Sequence, residues 1–575
     1  MSTLSKPITP ADTRPAARVA FGDRLLLAGG VAALLLITAV PYLYAAWSAP
    51  PGRAFQGILF DVPDVAQYWS WMRDHQHSLL VPNRMTAEPN EPALFNLLWL
   101  ILGQMQRLTG WSEAAMYQVL RLTGGAAFLV VLWWFLGLAA GGRGERWTAW
   151  LIAALGGGLG WIWVVEKYAR GLSDVRFPLD VYVAEPNAFF SLLGLPHFLA
   201  AAALLLGTFG CFLQAERHGD DWRRYGLATL WALLLGLSHA YDLIMVYAIL
   251  GTWVLVQFAA ARRILWGRFW GLAAVGLISF PPAGYFTYLT TQNPLWREVL
   301  AQFDNAGVFT PNLAHIWILL GVPFLITLGY GAWLLWRRAA GRQRGGAPRR
   351  GAGEVGSGGD TMFHPPSSAL HPESFVWVWA VVGFALLYIP TDFQIHMLNP
   401  YQVPLALLTA RAVWRPGLAP GARRWLLAAL VVLATLPTNA YLWSWRMLDM
   451  RRAEAPFFLS DAQVAALRWL DARSEERAVV LSGLEVGQYV PALTGQRAFL
   501  AHWAQTAHFY DRRDDVARFF AADTPAAERR ALLARFDVRY VVRGPDERAL
   551  GGYDPAVDGL LRPVFSQGDV TIYQR

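Results

Sequence analysis

The stretch Gly57–Gly110, GILFDVPDVAQYWSWMRDHQHSLLVPNRMTAEPNEPALFNLLWLILGQMQRLTG, decides how the rest of the chain is read. It follows an apolar run long enough to cross a membrane. It opens with two acids, Asp61 and Asp64, in a turn around Pro63. An aromatic, partly amphipathic segment comes next, then a second acidic pair, Glu88 and Glu91, and an apolar segment opened by Pro92. That last run, 93–105, is only about 13 residues long against a ~30 Å hydrocarbon core, which suits a re-entrant or interfacial helix rather than a span.

Outward from this stretch the chain is apolar. Of its 575 residues, 55% are hydrophobic and 16% charged, with a mean hydropathy of +0.30. That composition excludes an ordinary soluble protein. Apolar runs predict spans near 24–46, 114–139, 148–165, 190–214, 225–240, 241–260, 268–289, 313–336, 374–390, 397–413 and 425–443. The 28 Trp and 20 Tyr are material for interfacial belts. A single cysteine, Cys211, leaves no internal disulfide framework and no thiolate metal cluster. The net charge of +8 reads as Arg-rich cytoplasmic loops rather than as nucleic-acid binding.

The charges also choose the topology. If 93–105 does not cross, the Arg-bearing segments 143–146, 217–224, 262–268, 337–350 and 411–424 fall on one side with the basic N-terminal tail. The short loops opposite carry Lys167, Arg170, Arg176 and Arg297. By the positive-inside rule the first side is cytoplasmic. The expected architecture is an α-helical polytopic protein of the plasma membrane with about eleven spans. It has a cytoplasmic tail 1–23 and a transmembrane domain 24–444, with a first outer loop 47–113 and a flexible cytoplasmic loop 337–373. A small extracytoplasmic α/β domain, 445–575, ends the chain. Within it, helices are expected at 461–472 and 526–536 and strands at 478–482, 497–502 and 538–543. A terminal hairpin, 561–566 with 570–574, turns at Gly568.

Polar groups concentrate at the expected outer ends of the spans, where they are costly unless they face a cavity or a partner. Glu185, Asn187 and His197 stand in EPNAFFSLLGLPHF. Ser238, His239, Tyr241 and Asp242 form the turn SHAYD. Asp304, Asn305, Asn312 and His315 lie in the next outer loop. Thr391, Asp392, Gln394, His396, Asn399 and Gln402 lie in TDFQIHMLNPYQVP. Each group has a plainer alternative. His197 can be a packing histidine, and His239 with Asp242 can cap a tight turn. Asp61 and Asp64 can be turn residues, and Glu88 with Glu91 a solvated helix start. There is no P-loop, no GxSxG and no HExxH motif, which weighs against an ATP-driven pump and the common hydrolases.

These features resemble the GT-C superfamily of integral-membrane glycosyltransferases, which includes protein O-mannosyltransferases and aminoarabinose transferases. The resemblance rests on Asp64 in DVPDVAQYW, on EPALFNLLWLILGQMQRLTGWSEAAMYQVLRL with Arg121 opening the second span, on EPNAFFSLLGLPHF and LGLSHAYD, and on the small outer domain. Many members carry adjacent acids in the first loop. Here Asp61 and Asp64 stand three apart, and both stay candidates. The resemblance implies a polyprenyl-phosphate-sugar donor, a saccharide, lipid or protein acceptor, and inversion at the anomeric carbon. It casts Asp64, Asp61 and Glu185 as catalytic acids, and as metal ligands should a divalent ion bind. A carboxylate takes or orients the acceptor's proton, and donors receive the leaving phosphate. Arg84, Glu88, Arg121, His197, His239, Asp242, Gln394 and His396 are the candidate substrate-binding residues. Rival readings are a lipid-linked-sugar flippase, which would favour mid-membrane charges and inverted repeats, and a membrane sensor with an outer ligand-binding domain.

Overall fold

A computed structural model describes residues 21–172, 179–303, 309–344, 372–391, 393–473 and 477–575. Most of the expected tail, Asp304, Asn305, Asp392 and the greater part of the loop 337–373 lie outside the described residues. Every apolar run falls on helix, but not as eleven continuous spans. Among the described residues, six helices are long and apolar enough to cross a membrane: Phe21–Ser48, Glu113–Ala139, Pro196–Arg217, Ala240–Ala261, Trp266–Gln292 and Ile316–Ala340. Ala422–Thr435 and Pro437–Arg452 make a seventh if their 42° bend lies within one span.

The run 148–165 needs correcting. It is split between helices Arg143–Leu155 and Trp161–Arg170. The break falls at three consecutive glycines, and a Cβ on Gly158 would strike the carbonyl oxygens of Ile318 and Leu319. The chain thus trades helix continuity for close backbone approach. The run 190–214 is also divided. A short helix, Ala188–Gly194, stops and a new one restarts at Pro196, whose fixed φ suits a first helical position. This second helix, Pro196–Arg217, is the most enclosed of the six and packs against Glu113–Ala139 and Trp222–Ser238.

The segment between the first two long helices builds one end of the molecule. Strand β1 (Arg53–Phe55) pairs antiparallel with β2 (Phe458–Ser460), so the start of this segment is joined to the C-terminal region. Helix Val62–Asp74 follows, with Pro63 in its first turn. Helix Leu97–Thr109 is capped by Asn96, whose side chain accepts from Leu98 N and Trp99 N, and it ends at Gly110 with φ 69°. At 1.5 Å per residue its 13 residues reach only ~20 Å, short of a ~30 Å core. It lies against the 62–74 helix where Gly103 meets the Met72 carbonyl oxygen, a contact that leaves no room for a Cβ. Ile101, Leu108 and Trp111 stay exposed on its far side.

The C-terminal region holds a five-stranded sheet in the order β4-β3-β5-β7-β6. Its strands are β3 (Val479–Leu481), β4 (Arg497–Ala498), β5 (Val538–Arg543), β6 (Arg562–Gln567) and β7 (Val570–Gln574). β3 runs parallel to β4 and β5, and β7 antiparallel to β5 and β6, with the hairpin turning at Gly568 as expected. The expected strand 497–502 stops at Ala498, because the chain from Ala501 leaves the sheet to bond residues 83–86 and Gln302. Helix Asp461–Asp471 starts on a capping box of Ser460 and Gln463. Val65, Trp69 and Met72 share one apolar core with Tyr489, Val490 and Ala498. Residues 62–74 and the sheet region therefore form a single packed body. Burying a side chain such as Trp69 in it contributes about 2–3 kcal/mol.

Candidate active site

The turn before helix Val62–Asp74 presents the two acids. Asp61 holds φ 45° and ψ 64°, the left-handed region that non-glycine residues rarely occupy, and its side chain caps nothing. Such backbone strain tends to persist where function requires it. The residue is accessible to water yet stands in a recess walled by protein. Burial first, and the neighbouring Asp64 charge second, push its carboxyl well above the usual range, with Glu185 adding to the effect. Asp64 stands in the first turn of the helix, and its Oδ1 lies 2.7 Å from Nε2 of His502.

Three other histidines gather beside this pair. His396, in the short 3-10 turn Gln394–Leu398, places Nδ1 2.6 Å from Glu185 Oε1. Burial alone would lower this imidazole. The hydrogen bond and charge of Glu185, with Asp242 and Asp64, outweigh it and leave His396 above its ordinary value. His239 places Nδ1 2.9 Å from Asp242 Oδ2 and Nε2 2.7 Å from the Tyr241 hydroxyl. The Tyr241 ring stacks on His396 at 5.0 Å, and the rings of His197 and His239 are 5.7 Å apart. Tyr68, four residues after Asp64, reaches His197 Nε2 at 3.4 Å and stacks on Trp99 at 4.6 Å. Burial and then the Asp64 charge raise the Tyr68 phenol, which keeps it a neutral donor. Two buried atoms in the cluster, His197 Nδ1 and Asp242 Oδ1, have no hydrogen-bond partner among the described residues.

The candidate residues thus divide. Asp61, Asp64, Glu185, His197, His239, Asp242 and His396 come together, and Gln394 stands two residues before His396 in the same turn. Arg84 does not join them. Its Nε lies 2.6 Å from Asp74 Oδ2, ten residues along the helix from Asp64, or ~15 Å of rise. Glu88 pairs with Arg512 at 2.7 Å and serves to dock the sheet region. Burial opposes its ionisation, but the bonds from Arg512 and Thr86 hold its carboxyl below the usual range. Arg121 is buried inside the bundle, bonded to Gln118 Oε1 and Thr38 Oγ1 and set over the Tyr42 ring. The expected ligand set of Asp61, Asp64 and Glu185 is not assembled either. No three His, Cys, Asp or Glu side chains among the described residues are grouped to hold a metal ion. Asp64 turns to His502 and Glu185 to His396 instead.

Two residues of the site escaped sequence reasoning. His502 lies in a segment read as strand, with no motif to mark it. Arg446, on helix Pro437–Arg452, donates from Nη1 to the Leu59 carbonyl at 2.8 Å and covers the Phe60 ring at 4.5 Å. It fixes the turn that carries Asp61.

The sequence matches no protein-family model and no curated protein. Solved structures do share the fold. The oligosaccharyltransferase of Archaeoglobus fulgidus in its apo form aligns over 91% of this chain and 70% of its own, at 15% identity and a TM-score of 0.50. The same enzyme in complex with Zn and sulfate aligns over 89% and 67%, at 14% identity and a TM-score of 0.50. The arabinofuranosyltransferase AftD from Mycobacteria aligns over 96% of this chain and 40% of its own, at 15% identity and a TM-score of 0.51. At 14–15% identity these likenesses show a shared fold.

Proposed function

We propose that the chain is an inverting glycosyltransferase that moves a sugar from a polyprenyl-phosphate donor to an acceptor hydroxyl at the outer face of the membrane. The observation that carries this reading is the Asp64 carboxylate, held by a histidine beside a cluster of imidazoles and phenols at one end of a membrane-spanning bundle. A membrane-embedded donor would bring its sugar phosphate to that end, with its tail along the apolar helices. The fold shared with two enzymes whose names state transfer of an oligosaccharide or an arabinofuranose adds support.

In this reading Asp64 accepts or orients the acceptor proton as the hydroxyl oxygen attacks the anomeric carbon. The bond from that carbon to the phosphate oxygen breaks, and the lipid phosphate leaves. His396 and the Tyr68 hydroxyl would donate to its oxygens. The Glu185 carboxylate raises the His396 imidazole and so favours its donating form. His197 Nδ1 and Asp242 Oδ1, buried beside these groups, are left without a partner among the described residues.

Purified protein in lipid nanodiscs, given undecaprenyl-phosphate-linked hexoses and pentoses with candidate acceptors, tests this by mass spectrometry of products. Asp64→Asn keeps the shape and should cut transfer by ~10²–10⁴. Full transfer by both Asp64→Asn and Asp61→Asn would sink the mechanism.

A further inference from the structure

The histidine at Asp64 comes from the far end of the chain, and its protonation is settled by geometry. His502 is 2% exposed. Its Nδ1 lies 2.9 Å from the backbone N of Ala504 and 3.2 Å from that of Gln505. Both are N–H donors and cannot reverse, so Nδ1 must present its lone pair. The ring proton then sits on Nε2, which lies 2.7 Å from Asp64 Oδ1. The imidazole can only donate to Asp64.

The loop that makes this contact is anchored from three sides. Thr506 Oγ1 accepts from the backbone N of Ala501 and of His502, each at 3.0 Å, and donates to the Met85 carbonyl at 2.6 Å. Asn83 Nδ2 donates to the Gln505 carbonyl at 2.8 Å, and Ala507 N donates to Thr86 Oγ1 at 3.2 Å. Gln302 donates to the carbonyls of Ala504 and Thr506, both at 2.9 Å, and accepts from Phe509 N. Residues 83–86 and Gln302 converge on this loop, and its one ionisable side chain points at an acid of the site.

We propose that His502 is a positioning residue of the transfer reaction, holding Asp64 as the proton acceptor by donating Nε2–H to its Oδ1. The inference rests on the transferase reading above. It also separates the two acids. Asp64 receives a histidine N–H, whereas Asp61, in the strained turn beside it, receives none. Asp64 is therefore the acid held in place to act. The sheet region contributes to the chemistry through this contact, beyond covering the site.

Two substitutions divide the roles of the ring. His502→Asn keeps an acceptor oxygen near the place of Nδ1 for the Ala504 and Gln505 amides but is too short to reach Asp64. His502→Gln extends a donor to about the place of Nε2. With undecaprenyl-phosphate-linked hexoses and pentoses in nanodiscs, His502→Asn should unfold near the wild-type temperature. It should lose about ten- to a hundredfold in kcat at little change in KM for the donor, the worth of one hydrogen bond to a charged group. His502→Gln should restore most of that loss, and Asp64→Asn combined with His502→Asn should be no slower than Asp64→Asn alone. An unimpaired His502→Asn, or a further loss in the double variant, overturns the inference and leaves the transferase reading standing. A wild-type protein inactive with every donor takes down both. Solid-state ¹⁵N spectra of histidine-labelled protein give an independent readout. A His502 signal from the Nδ1–H tautomer would refute the geometry whatever the activity.

Discussion

Glu185 Oε1 and His396 Nδ1 meet at 2.6 Å although 211 positions separate them in the chain. Burial lowers this imidazole, but the carboxylate more than compensates, so its folded value lies above the ordinary 6.5. A histidine raised on folding contributes stability that is complete below the unfolded value and is lost as pH rises through the folded one. Removing the partner by Glu185→Gln should therefore lower the unfolding temperature most near pH 6 and less near pH 9. An equal deficit at both pH values would show that Glu185 acts by packing alone.

Asp61 carries the opposite sign. A carboxyl raised on folding costs stability as pH climbs from the unfolded value, 3.8, toward the folded one, because the folded state then holds a proton that the unfolded chain has released. Asp61→Asn removes that cost. The variant should unfold at a higher temperature than wild type at pH 7, with the gap narrowing toward pH 4. Its transfer rate should fall less than that of Asp64→Asn. A destabilised Asp61→Asn at pH 7 would contradict this.

Arg84 is expected to matter for stability only. Its guanidinium and the Asp74 carboxylate are both largely buried, and breaking such a pair costs about 3–5 kcal/mol. Arg84→Met should lower the unfolding temperature clearly while the protein that stays folded keeps its kcat and its donor KM. A raised donor KM in a fully folded Arg84→Met would return this residue to the binding site.

Sidedness is open to a direct measurement. β1 pairs with β2, and the 62–74 helix shares a core with the sheet, so both regions stand on one side of the membrane. By the positive-inside rule the Arg distribution predicts that this is the outer side. Ser78 and Ser566 are exposed, and the native Cys211 is buried and so a quiet background. Ser78→Cys and Ser566→Cys should both react with an impermeant thiol reagent in intact cells. Labelling of one without the other would break the arrangement, and protection of both would invert it.

Local signals made the bundle legible. The apolar runs announced the helices, and the polar groups at their ends pointed to a shared end for His197, His239 and His396, though each also had a plainer local reading. The run 93–105 was legible as a short apolar segment, while its boundaries at Asn96 and Gly110 came from the structure. Hydropathy misled at 148–165, where Gly156–Gly158 outweigh the apolar residues around them because neighbouring backbone needs the space. The cations were the hardest to place. Arg84 and Arg121 looked like phosphate ligands by position, but each is committed to a nearby partner, and sequence spacing does not reveal whether an arginine is already engaged. His502 was invisible for a related reason. Its meaning lies in Asp64, Ala504 and Gln505 together, and only a tertiary contact across 438 positions joins them.

That contact also sets a schedule for biosynthesis. The helix bearing Asp64 is made early and is inserted with the first spans. At ~5–20 residues per second the segment bearing His502 leaves the ribosome roughly 20–90 s later. During that interval the acid is present without its histidine. On the transferase reading proposed above, the reaction would wait until the final portion of the chain has docked against the helix bearing Asp64.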